Sequence, residues 1–418
     1  MDPKGQAAMV VVGAGQAGGT AVVTLREEGF TGRVILVGRE PHPPYGRPPL
    51  SKGYLSGAEE PWWVRPDEWY AENQVERLTA EAVALDPSQH RLQLADGQSL
   101  SYDRLLIATG GRNRPLELPG AGLAGVHALR TVDEADRLRQ AARRGDRAIV
   151  IGMGFMGCEL SAALVRAGVQ VTAVFGQAQP LERVLGPEVG AAVARIHGRQ
   201  GVRLSAQDSL QSIGGRGRVE SVVTRALGEV ACEMVVSAIG IEPDLSALTG
   251  SGIEVENGIL VDARCRTSSA DVFAAGDVAN HLHPLFGRLR VEHFNNAEKQ
   301  ARCAALNMLG RDQVYDYLHT FWSDQYEHKL EYVGYAESWD RFVVRGDLEE
   351  PRFIGFYLKQ GRLLAAVGLD RGGDPEMDPE EEMAVCAALV SAGATPEPEQ
   401  LADQTVDLRS LLPGSSGG

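Results

Sequence analysis

The sequence predicts an α/β protein built from two copies of one βαβ unit, followed by an α+β region. Three observations carry that reading. A short apolar strand runs into a glycine-rich turn and a helix over 9–28, and the same succession recurs over 148–167. Further apolar runs at 105–110, 234–240 and 272–277 each end in a turn with glycine. From Trp322 onward the pattern becomes a set of short strands with tight turns.

In the first copy, Met9-Val10-Val11-Val12 is the strand and Gly13-Ala14-Gly15-Gln16-Ala17-Gly18 the turn. A helix is expected over 21–28 and a second strand over 33–37. In the second copy the strand is 148–151 and the turn Gly152-Met153-Gly154-Phe155-Met156-Gly157. A helix is expected over 158–167 and a strand over 169–175. The two turns start 152 − 13 = 139 residues apart. Strands 330–333, 341–346, 352–358 and 362–368 read as antiparallel, 379–391 as helical and 413–418 as a flexible tail.

Each turn fits GxGxxG between a strand and a helix. The first glycine makes the turn, the second admits a pyrophosphate and the third lets helix and strand pack closely. The helix N-terminus then presents unpaired N–H groups to phosphate. The prediction is two Rossmann-like dinucleotide sites: Gly13, Gly15, Ala17 and Gly18 in one, Gly152, Gly154, Phe155, Met156 and Gly157 in the other, with the strand end at Gly240. A flavin and a nicotinamide are the usual pair. Glu40, 40 − 13 = 27 residues after Gly13, is placed to hold a ribose diol. The second copy ends its strand in Val174-Phe175-Gly176-Gln177, with no acid, and Arg183 follows a few residues on. The choice between NADH and NADPH is open at this point.

Composition narrows the function. The net charge is 41 − 56 = −15, which argues against a general nucleic-acid binder. No stretch of about 18 apolar residues suggests a membrane span, and residues 1–9 lack a charged-then-apolar leader, so a cytoplasmic protein is expected. The five cysteines (Cys158, Cys232, Cys265, Cys303, Cys386) form no CxxC. A zinc site or other metal centre is not expected. Residues 40–60 contain no cysteine, which excludes a dithiol reductase. Cys158 reads as a small packing residue.

The run Pro44-Tyr45-Gly46-Arg47-Pro48-Pro49-Leu50-Ser51-Lys52 resembles the hallmark of FAD-dependent ferredoxin reductases of oxygenase systems. The resemblance extends over nearly the whole chain, through Ala108-Thr109-Gly110, Leu129-Arg130-Thr131, Gly276-Asp277, Val291-Glu292-His293 and Phe321-Trp322-Ser323-Asp324-Gln325. It implies a glutathione-reductase-like architecture. The FAD domain would comprise 1–114 and 247–321, the NAD(P) domain 115–246 and the C-terminal α+β domain 322–412. It implies FAD and NADH as cofactors, with NADPH open, and an iron–sulfur ferredoxin of the 2Fe–2S or a related type as partner. An oxygenase or cytochrome P450 would lie downstream, and the protein would be a monomer or homodimer. By the same resemblance Lys52, Glu159 and Trp322 sit at the flavin–nicotinamide site. Asp277 meets the ribityl chain and Phe294 the isoalloxazine edge. Arg47, Val83, Ala108, Thr109, Gly110, Arg130, Gly276, Glu292 and His293 contribute to FAD binding. Glu292-His293 is closer to apoptosis-inducing factor, a distant member. It therefore admits an alternative, an NADH-responsive interaction protein of low turnover.

Overall fold

The computed structural model describes residues 7–414, so most of the tail expected at 413–418 lies outside the described residues. The chain forms two compact units. One comprises the chain up to Arg47 with Pro61–Arg112 and Ile241–Tyr317; the other comprises Pro48–Glu60, Asn113–Gly240 and the chain from Leu318.

The first unit is built on a five-stranded parallel sheet. Its order is Val272–Ala274, Arg104–Ile107, Ala8–Val12, Arg33–Gly38, Val75–Thr79. The central strand is buried at every residue, as expected of a parallel sheet covered on both faces. Strand alternation divides its side chains between two cores. Met9, Val11, Leu36, Leu106 and Phe273 pack with Ala21, Val22, Leu25, Ala301 and Ala304 from the helices Gln16–Glu27 and Phe294–Met308. Val10, Val12, Ile35, Val37 and Leu105 pack on the opposite face with Leu92, Tyr102, Ile259 and Val278.

The second unit holds a matching parallel sheet, ordered Val126–Ala128, Met234–Ser237, Arg147–Ile151, Gln170–Val174, Arg203–Ser205. It also holds a five-stranded antiparallel sheet, ordered Thr320–Gln325, His328–Gly334, Arg362–Leu369, Arg352–Lys359, Arg341–Asp347. The helix Glu382–Ser391 packs on two of its three inner strands, His328–Gly334 and Arg362–Leu369. The antiparallel region thus starts at Thr320, two residues before Trp322, and its helix starts three residues after 379.

Both fingerprint helices begin earlier than the sequence suggests, at Gln16 and Phe155. The third glycine of each turn is the reason. It lies inside the first helical turn, where a Cβ on Gly18 would stand 1.8 Å from the Gly13 carbonyl oxygen and one on Gly157 1.9 Å from that of Gly152. The glycine therefore does not delay the helix; it allows the helix to start on top of the turn. Glu159 consequently sits in the second turn of its helix, beyond reach of most of the dipole effect expected at a helix start.

Burial lowers the pKa of five histidines from 6.5: His197 and His293 to about 4, His281 to about 3, and His127 and His283 in the same direction. The folded chain keeps these rings neutral where the unfolded chain protonates them. The unfolded state then binds more protons, so stability falls as pH drops from about 6.5 toward 4. Urea midpoints are expected to decrease steadily over that window and to be flat between about pH 7 and 8. A flat midpoint down to about pH 4.5 would contradict the neutral burial of these rings.

Candidate functional site

In the first unit, Gly13 (φ +111°) turns the chain so tightly that a Cβ would stand 2.1 Å from the Ala108 carbonyl oxygen. Gly15, by contrast, faces open space: the nearest atom to a Cβ there is Arg47 Nη2, 3.9 Å away. Gly15 is also the N-cap of Gln16–Glu27. No side chain caps that helix, and its first turn holds no acid. The unpaired N–H groups and the open glycine make a cradle for a pyrophosphate.

Around this cradle, Arg47 donates to Glu40 Oε1 at 2.8 Å, and the Tyr45 hydroxyl donates to Glu40 Oε2. Burial alone would lower the Arg47 pKa, but Tyr45, Glu40 and Asp277 together raise it. Arg47 is thus a cation held by Glu40, with Asp277 adding to the field that keeps it charged. The Gly276 N–H donates to Gln300 Oε1 at 2.8 Å, and a Cβ on Gly276 would lie 3.1 Å from that of Ala17. Gln300 is fully buried, and its Nε2 has no hydrogen-bond acceptor among the described residues. A donor buried without an acceptor suits a site completed by a ligand.

Thr109 Oγ1 donates to the Asp244 carbonyl at 2.8 Å, fixing the 108–110 turn at the end of Arg104–Ile107. Arg290 pairs with Glu292 at 2.8 Å and donates to the Asp277 carbonyl at 2.8 Å. His293 stands at the N-cap position of the Phe294–Met308 helix without a side-chain capping bond, and Phe294 meets Trp62 edge-on at 5.8 Å. The structure therefore gathers Gly13, Gly15, Ala17, Gly18, Glu40, Arg47, Ala108, Thr109, Gly110, Gly276, Asp277, Glu292, His293 and Phe294 within one unit. Val83 belongs to the same unit but lies 44% exposed on the Ala82–Asp86 strand of a separate small sheet.

The second unit repeats the cradle. Gly152 (φ +92°) turns under the Ala238 carbonyl, Gly154 has nothing within 4 Å of a Cβ, and Phe155–Arg166 begins without a side-chain cap. Met156 is exposed at its N-terminus and Gly240 (φ +95°) lies beyond the Met234–Ser237 strand. Arg130 is half-buried ahead of a capping box in which Glu134 accepts the Arg130 and Thr131 N–H groups.

The same unit brings together Lys52, Glu159 and two serines. Glu159 Oε2 accepts from Lys52 Nζ at 2.7 Å and from Ser51 Oγ at 2.5 Å, and Oε1 accepts from Ser323 Oγ at 2.7 Å. The ion pair is largely out of water, with side chains 13% and 7% exposed. Its charges are satisfied because three donors share two oxygens. Trp322 and Asp324 flank Ser323 on the Thr320–Gln325 strand. Burial raises the Asp324 pKa; Lys52 opposes that shift and Glu159 adds to it.

The sequence reading did not single out Ser51, Ser323, Tyr45 or Gln300. Ser51, Ser323 and Tyr45 stood inside motifs already noted, so adjacency to Lys52, Trp322 and Arg47 was the available signal. Gln300 had none beyond helical spacing.

All five cysteines are free and buried. Burial raises the Cys158, Cys232 and Cys386 thiols, Cys232 to about 11; a hydrogen bond with Cys303, then burial, raises Cys265. Neutral thiols of this kind are poor nucleophiles.

Residues 7–301 match the model of the pyridine nucleotide-disulphide oxidoreductase family, and 320–412 match that of the reductase C-terminal domain. The chain is 37% identical over 409 residues to the anthranilate 1,2-dioxygenase system ferredoxin–NAD(+) reductase component of Burkholderia cepacia, covering 96% of this chain and 98% of that one. It is 36% identical to rhodocoxin reductase of Rhodococcus erythropolis, covering 97% and 94%. Among solved structures, the covalent putidaredoxin reductase–putidaredoxin complex matches with a TM-score of 0.91 at 31% identity over 99% of both chains.

Replacing Lys52 by Met is expected to cost about 3 kcal/mol of stability, because it leaves Glu159 buried without its cation. Lys52→Met/Glu159→Gln should recover much of that loss. Denaturant unfolding measures both; equal loss in the single and double variants would contradict a desolvated pair.

Proposed function

We propose, for a chain that belongs to the pyridine nucleotide-disulphide oxidoreductase family and within it to the ferredoxin–NAD(+) reductases of oxygenase systems, that it moves electrons from NADH through FAD to a 2Fe–2S ferredoxin. One observation carries the route: two open glycine cradles in a chain whose thiols are all buried. With no cysteine in residues 40–60, where a dithiol would follow the first βαβ unit, and all five thiols buried, the electrons pass to an external acceptor. A partner of that kind is named for the relatives. The terminal system served by the ferredoxin, an oxygenase or a cytochrome P450, follows from the same likeness. So does a cytoplasmic location; no helix among the described residues is long and apolar enough to cross a membrane.

FAD, when bound, takes a hydride from NADH and returns electrons singly to a one-electron acceptor. The chain's part is binding, orientation and electrostatics. Gly13, Gly15, Ala17 and Gly18 with Arg47 hold the FAD pyrophosphate region, and Glu40 its adenosine ribose. Ala108, Thr109 and Gly110 form the wall of that site, Gly276 and Asp277 hold the ribityl chain, and Glu292, His293 and Phe294 meet the ring. Arg130 and the Val83 backbone complete the set. Gly152, Gly154, Phe155, Met156, Gly157 and Gly240 hold NADH. Lys52 and Glu159 fix the charge beside the reacting rings, and Trp322 excludes water from them. Positioning of this kind supplies several kcal/mol of the barrier in favourable cases. The division into domains 1–114 with 247–321, 115–246 and 322–412 belongs to the same reading.

Hydrogen-bond register aligns the two cradles. Gly13 N–H donates to the Val37 carbonyl and Gly152 N–H to that of Val174. Glu40, three residues past Val37, therefore corresponds to Gln177, three past Val174. The next carboxylate, Glu182, is occupied by the Gln179 N–H at 2.8 Å. A neutral Gln177 hydrogen-bonds a ribose hydroxyl without repelling a 2′-phosphate. Discrimination against NADPH is thus expected to be weak, and Gln177→Glu should raise the NADH/NADPH ratio of kcat/KM about tenfold or more. An unchanged ratio would remove Gln177 from the ribose site.

Anaerobic titration with NADH tests the function. The visible flavin band should bleach, and Lys52→Ala and Trp322→Ala should each slow bleaching by about tenfold or more while retaining flavin. Wild-type rates in both variants would remove those roles; absence of flavin or of bleaching in the wild type would remove the assignment.

A further inference from the structure

The Lys52 ammonium and the Ser51 hydroxyl both act on Oε2 of Glu159. Those two contacts leave the carboxylate free to pivot about that oxygen. The contact that fixes its plane is on the other side, where Ser323 donates to Oε1 at 2.7 Å. Ser323 is fully buried, and it does not end the chain of hydrogen bonds. Its oxygen accepts from Gln325 Nε2 at 3.3 Å; Gln325 Oε1 lies 3.0 Å from His197 Nε2; His197 Nδ1 lies 3.0 Å from the Tyr326 hydroxyl.

The donors have one consistent direction. An amide oxygen can only accept, so His197 carries its proton on Nε2 and its Nδ1 accepts from Tyr326. Every donor then points toward Glu159: Tyr326 to His197, His197 to Gln325, Gln325 to Ser323, Ser323 to the carboxylate. All four residues are buried, so no water competes for these bonds. The chain ties three elements of one unit together: the helix Glu182–Arg199 through His197, the strand Thr320–Gln325 through Ser323 and Gln325, and the helix Phe155–Arg166 through Glu159. Burial keeps the His197 ring neutral, with a pKa of about 4, so the donor direction holds at neutral pH.

We propose that Ser323, held by Gln325 and His197, is a positioning residue for hydride transfer: it sets the plane of the Glu159 carboxylate and, through it, the place of the Lys52 ammonium. The inference rests on the reading of Lys52 and Glu159 given above and adds to it a buried hydrogen-bond chain that no contact with either coenzyme requires.

The experiment is stopped-flow reduction of the FAD-loaded protein by NADH in Ser323→Ala, Gln325→Met, Glu159→Gln and Ser323→Ala/Glu159→Gln. In Ser323→Ala and Gln325→Met the limiting rate of flavin reduction should fall by about tenfold, the loss for one hydrogen bond to a charged group. Flavin content and the apparent Kd for NADH should stay unchanged. In the Glu159→Gln background the serine substitution should add no further loss, since its effect runs through the carboxylate. Should Ser323→Ala fail to fold, Gln325→Met decides, being one link further from the site. Wild-type limiting rates in the Ser323 and Gln325 variants, or fully additive losses in the double variant, would overturn the inference and leave the Lys52–Glu159 pair standing. A wild-type rate in Glu159→Gln would overturn the reading of the pair, and this inference with it.

Discussion

A helix can begin directly on a strand end only where no side chain projects between them. That steric constraint organises both dinucleotide cradles. At Gly18 and Gly157 a single Cβ would come within 2 Å of the carbonyl oxygen of the first glycine in the turn. Gly13 and Gly152 must in addition adopt positive φ, which only glycine does without strain. Once these positions are met, the helix N-terminus stands uncapped over Gly15 or Gly154, facing open space. Such a helix terminus can hold a phosphate group through backbone geometry, with little demand on side-chain chemistry.

The second organising feature is a charge kept out of water. Lys52 and Glu159 are 107 residues apart in sequence and within one hydrogen bond in space. Two buried charges are tolerated because Ser51 and Ser323 supply the remaining donors to the carboxylate. The thiols show the opposite policy. Each cysteine is buried, and those whose titration shifts are all moved away from the thiolate. A chain of the disulphide-oxidoreductase family has thus kept the two-dinucleotide frame while its own cysteines are unavailable for redox exchange.

Much of this was legible in the residues. The apolar runs at 9–12 and 148–151 became the central strands of their sheets, and that at 272–274 a buried edge strand, because parallel strands bury both faces. The glycine turns were readable because their spacing has a steric cause. The helix starts were not, since glycine reads as a helix breaker from propensity alone and here serves close packing. Ser323 was likewise illegible as a donor to Glu159. A serine on a strand carries no signal of its own, and its partner lies 164 residues away. Glu40 was legible as an acid near the first cradle, but its pairing with Arg47 and Tyr45 depends on the turn at 45–47 folding back, which local pattern does not encode.

Electrons entering from NADH leave singly to an external iron–sulfur protein. Anaerobic mixing of the NADH-reduced protein with an oxidised 2Fe–2S ferredoxin, followed at the cluster's own absorption bands, tests it most directly. The cluster should be reduced within the turnover time, at an unchanged rate after alkylation of all accessible thiols. A reduced protein that leaves the cluster oxidised, or that passes electrons only to a disulfide and loses that activity on alkylation, would contradict it.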